Sequence, residues 1–523
     1  MVIVPHQDDE VFTGGGIIER LTKQGINTTV VFFTDGNSND DIGGIRQLEA
    51  IESCKQLGCD RKNVICLQFP NRRQNDTTDA SGVSSAALRD SMKCVLKELL
   101  TSKKPDYILC TDFDFHRDHR TLSLIFDEVV GELLKNNLIH NPIIHKSFAY
   151  QTSYNAVPDF YSINIKSTQK PIEQQNTDYE TDVPSYSWNN RLRIPLEEGS
   201  ITHTAFRNTQ YKAFSEHKTQ CVTMKAYSVL NGDNVYWERR TDNLLYKGVI
   251  SATSGNTNYL CDFKLVDTKD VTIKNKQNVE FSNCLWEPSI EDANPTIDVV
   301  FADQVTASYL RFYEDFSYSE NIIDIEIVIN DTIHIHSGKL NNNGAPSLIA
   351  IGDDVKIKNL KFTNFRYNGN RPALAEIELL PTLFQEKRVV VNKIIEKTSK
   401  DFIYKYYVDG DIKELALGYY SSDNRQLSLK ITESQGGADL KGETLNIEED
   451  FCRCKIVLLD KNQNVYDEVE IERLNSLELH VLGLIQKYDQ TKLSLVNAFY
   501  RNRLVHSIIK HTIFKAIKRN LGL

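Results

Sequence analysis

Over the first 150 residues, short apolar runs alternate with helical stripes. VIV (2–4) leads into GGGIIERLTKQG, and TTVVFFT (28–34) into IGGIRQLEAIESCKQLG. NVICLQF (63–69) leads into SSAALRDSMKCVLKELL and YILCT (107–111) into HRTLSLIFDEVVGELLK, before a further run, IIHKSFAYQ (143–151). The runs show no polar alternation, as expected of parallel strands covered on both faces. The helices repeat apolar residues at i, i+3 and i+4; Ile45, Leu48, Ile51 and Leu57 are one such stripe. A doubly wound, Rossmann-like α/β domain is predicted over residues 1–240. In such folds ligands sit beyond the carboxyl ends of the strands.

After about residue 240 the long stripes give way to alternating segments such as TIDVVFAD, IDIEIVIN and KIKNLKFTNF, separated by Asn, Gly and Asp turns. That pattern predicts β-sandwich domains. One is expected at 245–381, with LLPTLFQEKR (379–388) as exit and linker, and a second at 388–473. Residues 474–523 revert to a helical pattern. Val505, Ile509, Ile513, Ile517 and Leu521 share one face, and from Lys487 onward eight Lys/Arg stand against one acid. A basic amphipathic helical tail of this kind can make peripheral contact with an anionic membrane, or pack on its own β domain.

At 523 residues the chain needs several cores. A formal charge of −10 argues against nucleic acid as a partner. No apolar run approaches the ~18–20 residues of a membrane span. No signal peptide is expected, because the first strand begins at Val2. The ten cysteines form no CxxC pair, which fits a reducing, cytoplasmic setting rather than a disulfide scaffold.

Two clusters occupy equivalent places in this plan. His6-Gln7-Asp8-Asp9-Glu10 leaves the end of the first strand, and His116-Arg117-Asp118-His119 follows YILCT. If both strands are central, both loops open onto one crevice. A catalytic zinc site needs three protein ligands and an open position for water. His6, Asp9 and His119 can supply two imidazoles and a carboxylate, leaving Asp8 and His116 beside the metal to move protons. Ordinary readings stand beside this one: acids at a helix start complement its macrodipole, and an HxxH pair can simply lie on a surface. His334 and His336 share one face of a strand, but no third ligand is near them in sequence.

PHQDDE resembles the (A/P)HPDDE signature of the LmbE-like, or PIG-L, N-acetylglucosamine deacetylases, and FHRDH is similar to their second, HPDH-type motif. TDGNSND resembles the family's T-x-G loop, and IRQLEAIESCKQLG its R-x-x-E helix. EHKTQ (216–220) and YWER (236–239) resemble its late H-x-S-Q and E-containing segments. Gln7 departs from the usual proline and Thr219 from serine.

The resemblance implies His6, Asp9 and His119 as zinc ligands, with another divalent metal as an alternative, and Asp8 as general base. It implies that His116 polarises the amide oxygen or protonates the leaving amine, that Asp118 orients His116, and that Arg46 contacts the substrate or its phosphate; an ion pair with Glu49 on the helix surface is the other reading of Arg46. Glu10 is read as supporting rather than catalytic. Residues 245–381, with FSNCLWEPSIEDANPTIDVVFADQVTASYLRFYEDF and GNRPALAEIELLP, resemble a discoidin-like, galactose-binding-like jelly roll; 388–473 is read as immunoglobulin-like. Trp286, Tyr309, Phe312, Tyr313 and Phe316 are there either core or a sugar platform. The implied function is zinc-dependent removal of the N-acetyl group from an N-acetylated sugar, glycan or glycolipid. The alternatives are a catalytically inactive glycan-binding or scaffold protein, and an amidase for a non-sugar N-acyl substrate.

Overall fold

The computed structural model describes residues 1–37, 42–71, 85–113, 116–149, 192–194, 196–200, 207–220, 234–266, 284–314, 321–342 and 345–383, and beyond these only strands between 392 and 472. The predicted helical tail at 474–523 lies outside the described residues, as does Phe316.

The chain opens with β1 (Val2–Val4), α1 (Asp9–Lys23), β2 (Val30–Thr34), α2 (Gly43–Gln56) and β3 (Val64–Phe69). It continues with α3 (Ser85–Lys103), β4 (Tyr107–Thr111), α4 (Arg117–Lys135) and β5 (Ile143–Ser147). These strands are parallel, in the order β3-β2-β1-β4-β5. β6 (Leu192–Ile194), α5 (Thr209–Glu216) and β7 (Asn234–Arg239) follow, and β7 and β6 extend the sheet beyond β5 with antiparallel pairing.

The flat apolar strands have a direct cause. Val2 and Val4 join Val30, Phe32, Ile17 and Phe214 in a core on one face. Ile3 joins Val31, Phe33, Leu96, Ile108 and Phe126 on the other. From β1 the chain winds outward through β2 and β3, then returns to β4 on β1's other side. The switch point therefore lies between β1 and β4, where a doubly wound sheet opens its crevice.

α2 departs from its apolar stripe. Leu48 is 59% exposed, and the buried face instead carries Arg46, Ala50, Ser53 and Cys54. That face looks toward the loop after β1, so polar residues with partners there displace the hydrophobic repeat from the interior.

Past β7 the chain passes through residues that serve two cores. Phe263 packs with the α3/α4 side of the first sheet, Leu245, Leu260 and Cys261 pack into the next unit, and Tyr246 lies against both cores. That unit comprises β8 (Gly248–Ala252), β9 (Ile297–Glu314), β10 (Asn321–Ile329), β11 (Ile333–His336), β12 (Ser347–Asn368) and β13 (Leu374–Leu380). They form an antiparallel sheet ordered β11-β10-β12-β9-β13, with β8 also on β9. Trp286, Phe312 and Tyr313 are buried, so none presents an open ring face to solvent.

The junction is polar and closely fitted. Asn243 donates to Ile377 O and accepts from Leu379 N, both at 2.9 Å. Glu376 accepts from Asp262 N and Phe263 N, and Arg239 donates to Phe263 O. Arg239 also lies 3.5 Å from Asp127 of α4. Asp127 is 2.8 Å from Lys146 of β5, a fully buried ammonium that reaches Ser123 at 3.0 Å and Asp112 at 3.3 Å. Burial alone would pull Lys146 down, but Asp112 and Asp127 outweigh it and raise its pKa, so the charge stays. This pairing ties α4 to the segment after β4.

Further on, β14 (Asn392–Lys397), β15 (Phe402–Tyr407), β16 (Glu414–Tyr420), β17 (Gln426–Glu433), β18 (Lys441–Leu445), β19 (Arg453–Leu459) and β20 (Val465–Glu472) form two antiparallel sheets, β14-β15-β18 and β17-β16-β19-β20. Among the described residues no helix is long and apolar enough to cross a membrane.

A Cβ on Gly131, in mid-α4, would lie 2.1 Å from the Asp262 carbonyl oxygen. On an open helix Gly→Ala stabilises by up to ~1 kcal/mol. Here Gly131→Ala should instead destabilise by about 1–3 kcal/mol, because backbone must move. A thermal melt reads the sign, and a raised Tm would contradict the docking of this segment on α4.

Candidate metal centre

Val4 ends β1 and Pro5 turns the chain. Thr34, at the end of β2, donates to Pro5 O through its N–H at 2.9 Å and its hydroxyl at 2.8 Å. Gln7 Nε2 donates back to Thr34 O at 2.8 Å. Gly36, at φ 72°, leaves room for this amide: a Cβ there would fall 2.0 Å from Gln7 Oε1. The loop is thus pinned to β2, and His6, Asp8, Asp9 and Glu10 are all buried.

The second loop enters from β4. His116 caps α4, its Nδ1 accepting from Asp118 N at 3.3 Å. One turn into the helix, His119 is completely buried.

The two loops meet as the sequence predicts. Asp9 Oδ2 lies 2.9 Å from His6 Nδ1 and 3.2 Å from His119 Nε2, and those nitrogens are 3.2 Å apart. Ligands ~2.0–2.1 Å from a tetrahedral zinc are separated by roughly 3.4 Å, so the donor set is close to that spacing. Asp9 Oδ1 is buried and takes no hydrogen bond among the described residues, an orphan that a cation would satisfy. His6 Nε2 meets Asp118 Oδ2 at 3.0 Å, a carboxylate behind an imidazole whose other nitrogen faces the centre. The residues therefore fit a divalent cation. His116 stands beside them: its ring centroid is 4.7 Å from those of both His6 and His119. One donor atom from each of the three histidines falls within 4.8 Å of the others.

The carboxylate of Asp118 thus closes on His6, and it is the Asp118 backbone N–H that meets His116. Arg46 is 6% exposed. It donates to Gly36 O at 3.0 Å and Gln7 O at 2.8 Å, and reaches Asp8 Oδ1 at 3.3 Å. Glu10 accepts from Ser53 Oγ at 2.6 Å and Asp8 N at 2.9 Å, and meets His217 Nε2 at 2.5 Å. His217, from EHKTQ, was flagged in sequence only as part of a motif; its partner lies 207 residues away. His334 and His336 are exposed, paired with Glu326 at 2.8 Å and Asp324 at 2.9 Å, far from this loop in the fold.

Burial pulls the His6 imidazole down, but hydrogen bonds to Asp118 and Asp9 outweigh it and lift its pKa to about 9. Burial would raise Asp9, yet His119 and His6 hold it well below the usual carboxylate range. Asp8 is raised, first by burial and then by Asp9, with Arg46 opposing. Burial, with His6 and His119 adding to it, pushes His116 down to about 3. His116 is therefore neutral near pH 7. With Nδ1 accepting from a backbone N–H, its own proton is on Nε2.

Chelator-treated protein at pH 7.5 should hold His6 protonated, since that pH is below its raised pKa. Adding a divalent cation should expel the His6 proton, measured as proton release with a pH indicator in weak buffer. Cation uptake without proton release would contradict the Nδ1 assignment.

The family model described as PIG-L, GlcNAc-PI de-N-acetylase, matches residues 1–130. A probable N-acetyl-α-D-glucosaminyl L-malate deacetylase 2 of Bacillus cereus is 25% identical over 156 residues, 28% of this chain and 65% of that protein. Among solved structures, the N,N'-diacetylchitobiose deacetylase of Pyrococcus horikoshii is similar at 23% identity, covering 29% of this chain and 61% of that one, with a TM-score of 0.23. The match thus spans less than two thirds of either relative. The family 32 CBM from C. perfringens NanJ is similar to another part, at 18% identity, 26% of this chain and 94% of that one, TM-score 0.18. At these scores the structural likenesses carry no functional argument. Residues 1–130 constitute a PIG-L, LmbE-like domain.

Proposed function

We propose that the chain is a metal-dependent N-deacetylase acting on an N-acetylated amino sugar or its glycan or glycolipid conjugate. The observation that carries the reading is the meeting of His6 Nδ1, Asp9 Oδ2 and His119 Nε2 within 3.2 Å, with Asp8 and His116 alongside. His6, Asp9 and His119 would hold the cation, zinc in the first instance. When bound, it supplies a Lewis acid that activates water for attack on an amide carbonyl.

The chain's own groups carry the protons. Asp8, raised by burial, accepts the proton of the attacking water. Neutral His116 presents Nε2–H to the carbonyl oxygen as its charge develops. The C–N bond breaks, the proton passes to the departing nitrogen, and acetate and a free amine result. Asp118 keeps His6 turned toward the cation. Arg46, held against Gln7 and Asp8, steadies the base, and only its edge is left to touch substrate.

The rest of the chain enters the same proposal by resemblance, pattern and composition. Residues 1–240 would be the catalytic domain, with 245–381 a galactose-binding-like sandwich and 388–473 an immunoglobulin-like one, both holding glycan near the crevice. Residues 474–523 would be a basic tail for peripheral membrane contact. A cytoplasmic setting rests on the cysteines, of which the seven described (54, 59, 66, 94, 110, 261 and 284) are free thiols.

The test is acetate release from N-acetylglucosaminyl substrates, from monosaccharide through polymer to glycolipid, with the metal-loaded chain. Asp8→Asn should lower kcat by about 10²–10⁴-fold while metal content is retained. Release from none of these substrates would sink the reading. Release only from non-sugar amides would favour the amidase alternative, and metal loss in Asp8→Asn would mean that the two aspartates exchange roles.

A further inference from the structure

Asp8 holds a backbone conformation rare for an L-residue, φ 149° and ψ −24°. Such strain persists only where the surroundings over-determine it. From one side Arg46 grips Gln7 O and Asp8 Oδ1. From the other, Glu10 Oε2 accepts the Asp8 N–H at 2.9 Å.

Glu10 is itself a fully buried carboxylate, which needs partners to remain there. Its Oε1 takes the Ser53 hydroxyl at 2.6 Å and His217 Nε2 at 2.5 Å. His217 is 1% exposed at the end of α5. Two residues on, Thr219 donates its N–H and hydroxyl to Glu49 of α2, at 2.9 and 2.6 Å. Arg46, Glu49 and Ser53 are spaced i, i+3 and i+7, so they share one face of α2. That face and the segment after α5 together form a wall behind the strained loop. Residues beyond the segment matched by the family model complete the site's support.

We propose that His217 is a positioning residue: by donating to Glu10 it fixes the carboxylate that holds the Asp8 N–H, and so sets the angle of the Asp8 side chain. This rests on the N-deacetylase reading for its kinetic consequence, but not for its structural one. With no donor at Nε2, the Glu10 carboxylate turns toward other partners and Asp8 is released from its strained conformation.

The full chain, metal-loaded, carries the test. His217→Leu fills the volume without a donor. His217→Gln keeps an N–H near the Nε2 position, whereas His217→Asn places it short. His217→Leu should lower kcat about 10–100-fold, since small misplacements of a reacting group cost up to 10²-fold. KM and metal content should be unchanged, and His217→Gln should recover most of the loss. Unchanged kcat in His217→Leu, or loss of metal together with kcat, would overturn the proposal. Should the Leu variant not fold, the other pair decides: Gln must exceed Asn in kcat, and equality overturns it. A crystal structure of His217→Asn supplies a readout free of turnover. Asp8 should leave the φ 149° conformation there; Asp8 unmoved would overturn the proposal even if the wild-type chain releases acetate from nothing.

Discussion

A carboxylate with no solvent exposure is tolerated only when partners replace the water it has lost, and Asp9 is such a group. One of its oxygens is shared by His6 and His119, imidazoles that come from opposite sides of the sheet's switch point. That contact joins the loop after β1 to the start of α4. It holds Asp9 ionised, and with Asp118 it turns His6 so that Nδ1 faces inward. The remaining features of the site are arranged around it.

The surrounding structure keeps this contact in place. On the β1 side, Thr34, Gly36, Arg46 and Glu10 fix the loop backbone from β2, α1 and α2. On the β4 side, Lys146 joins Asp112, Ser123 and Asp127, so that α4 cannot shift along β5 without separating buried charges. Arg239 and Phe263 extend this second support to the junction with the antiparallel sheet. The β unit is thus connected to α4, the helix that carries His119, through packed polar groups.

Much of this was legible in the sequence, and the exceptions have physical causes. The five parallel strands were readable because Val2, Ile3 and Val4 must satisfy two cores at once. The convergence of His6, Asp9 and His119 was readable because equivalent loops of adjacent parallel strands open to the same side. The buried face of α2 was not, because Arg46 and Ser53 are interior through polar partners that hydrophobic periodicity does not register. The link from Glu10 to His217 was hidden by its sequence separation. The double use of residues 244–266 was hidden too, since Tyr246, in a single short turn and against both cores, and Phe263, outside any helix or strand, belong to no stretch long enough to show a period. For Asp118, the resemblance implied a role in orienting His116; in the structure its backbone N–H meets His116 and its carboxylate meets His6.

The central claim is that two imidazoles and the Asp9 carboxylate hold the cation, with His116 standing by. X-ray absorption spectroscopy of the zinc-loaded chain, compared with its His116→Ala variant, tests this directly. The account predicts scattering from two imidazoles together with oxygen ligands, unchanged by the substitution. Three imidazoles in the wild-type spectrum, one of them lost in the variant, would contradict it.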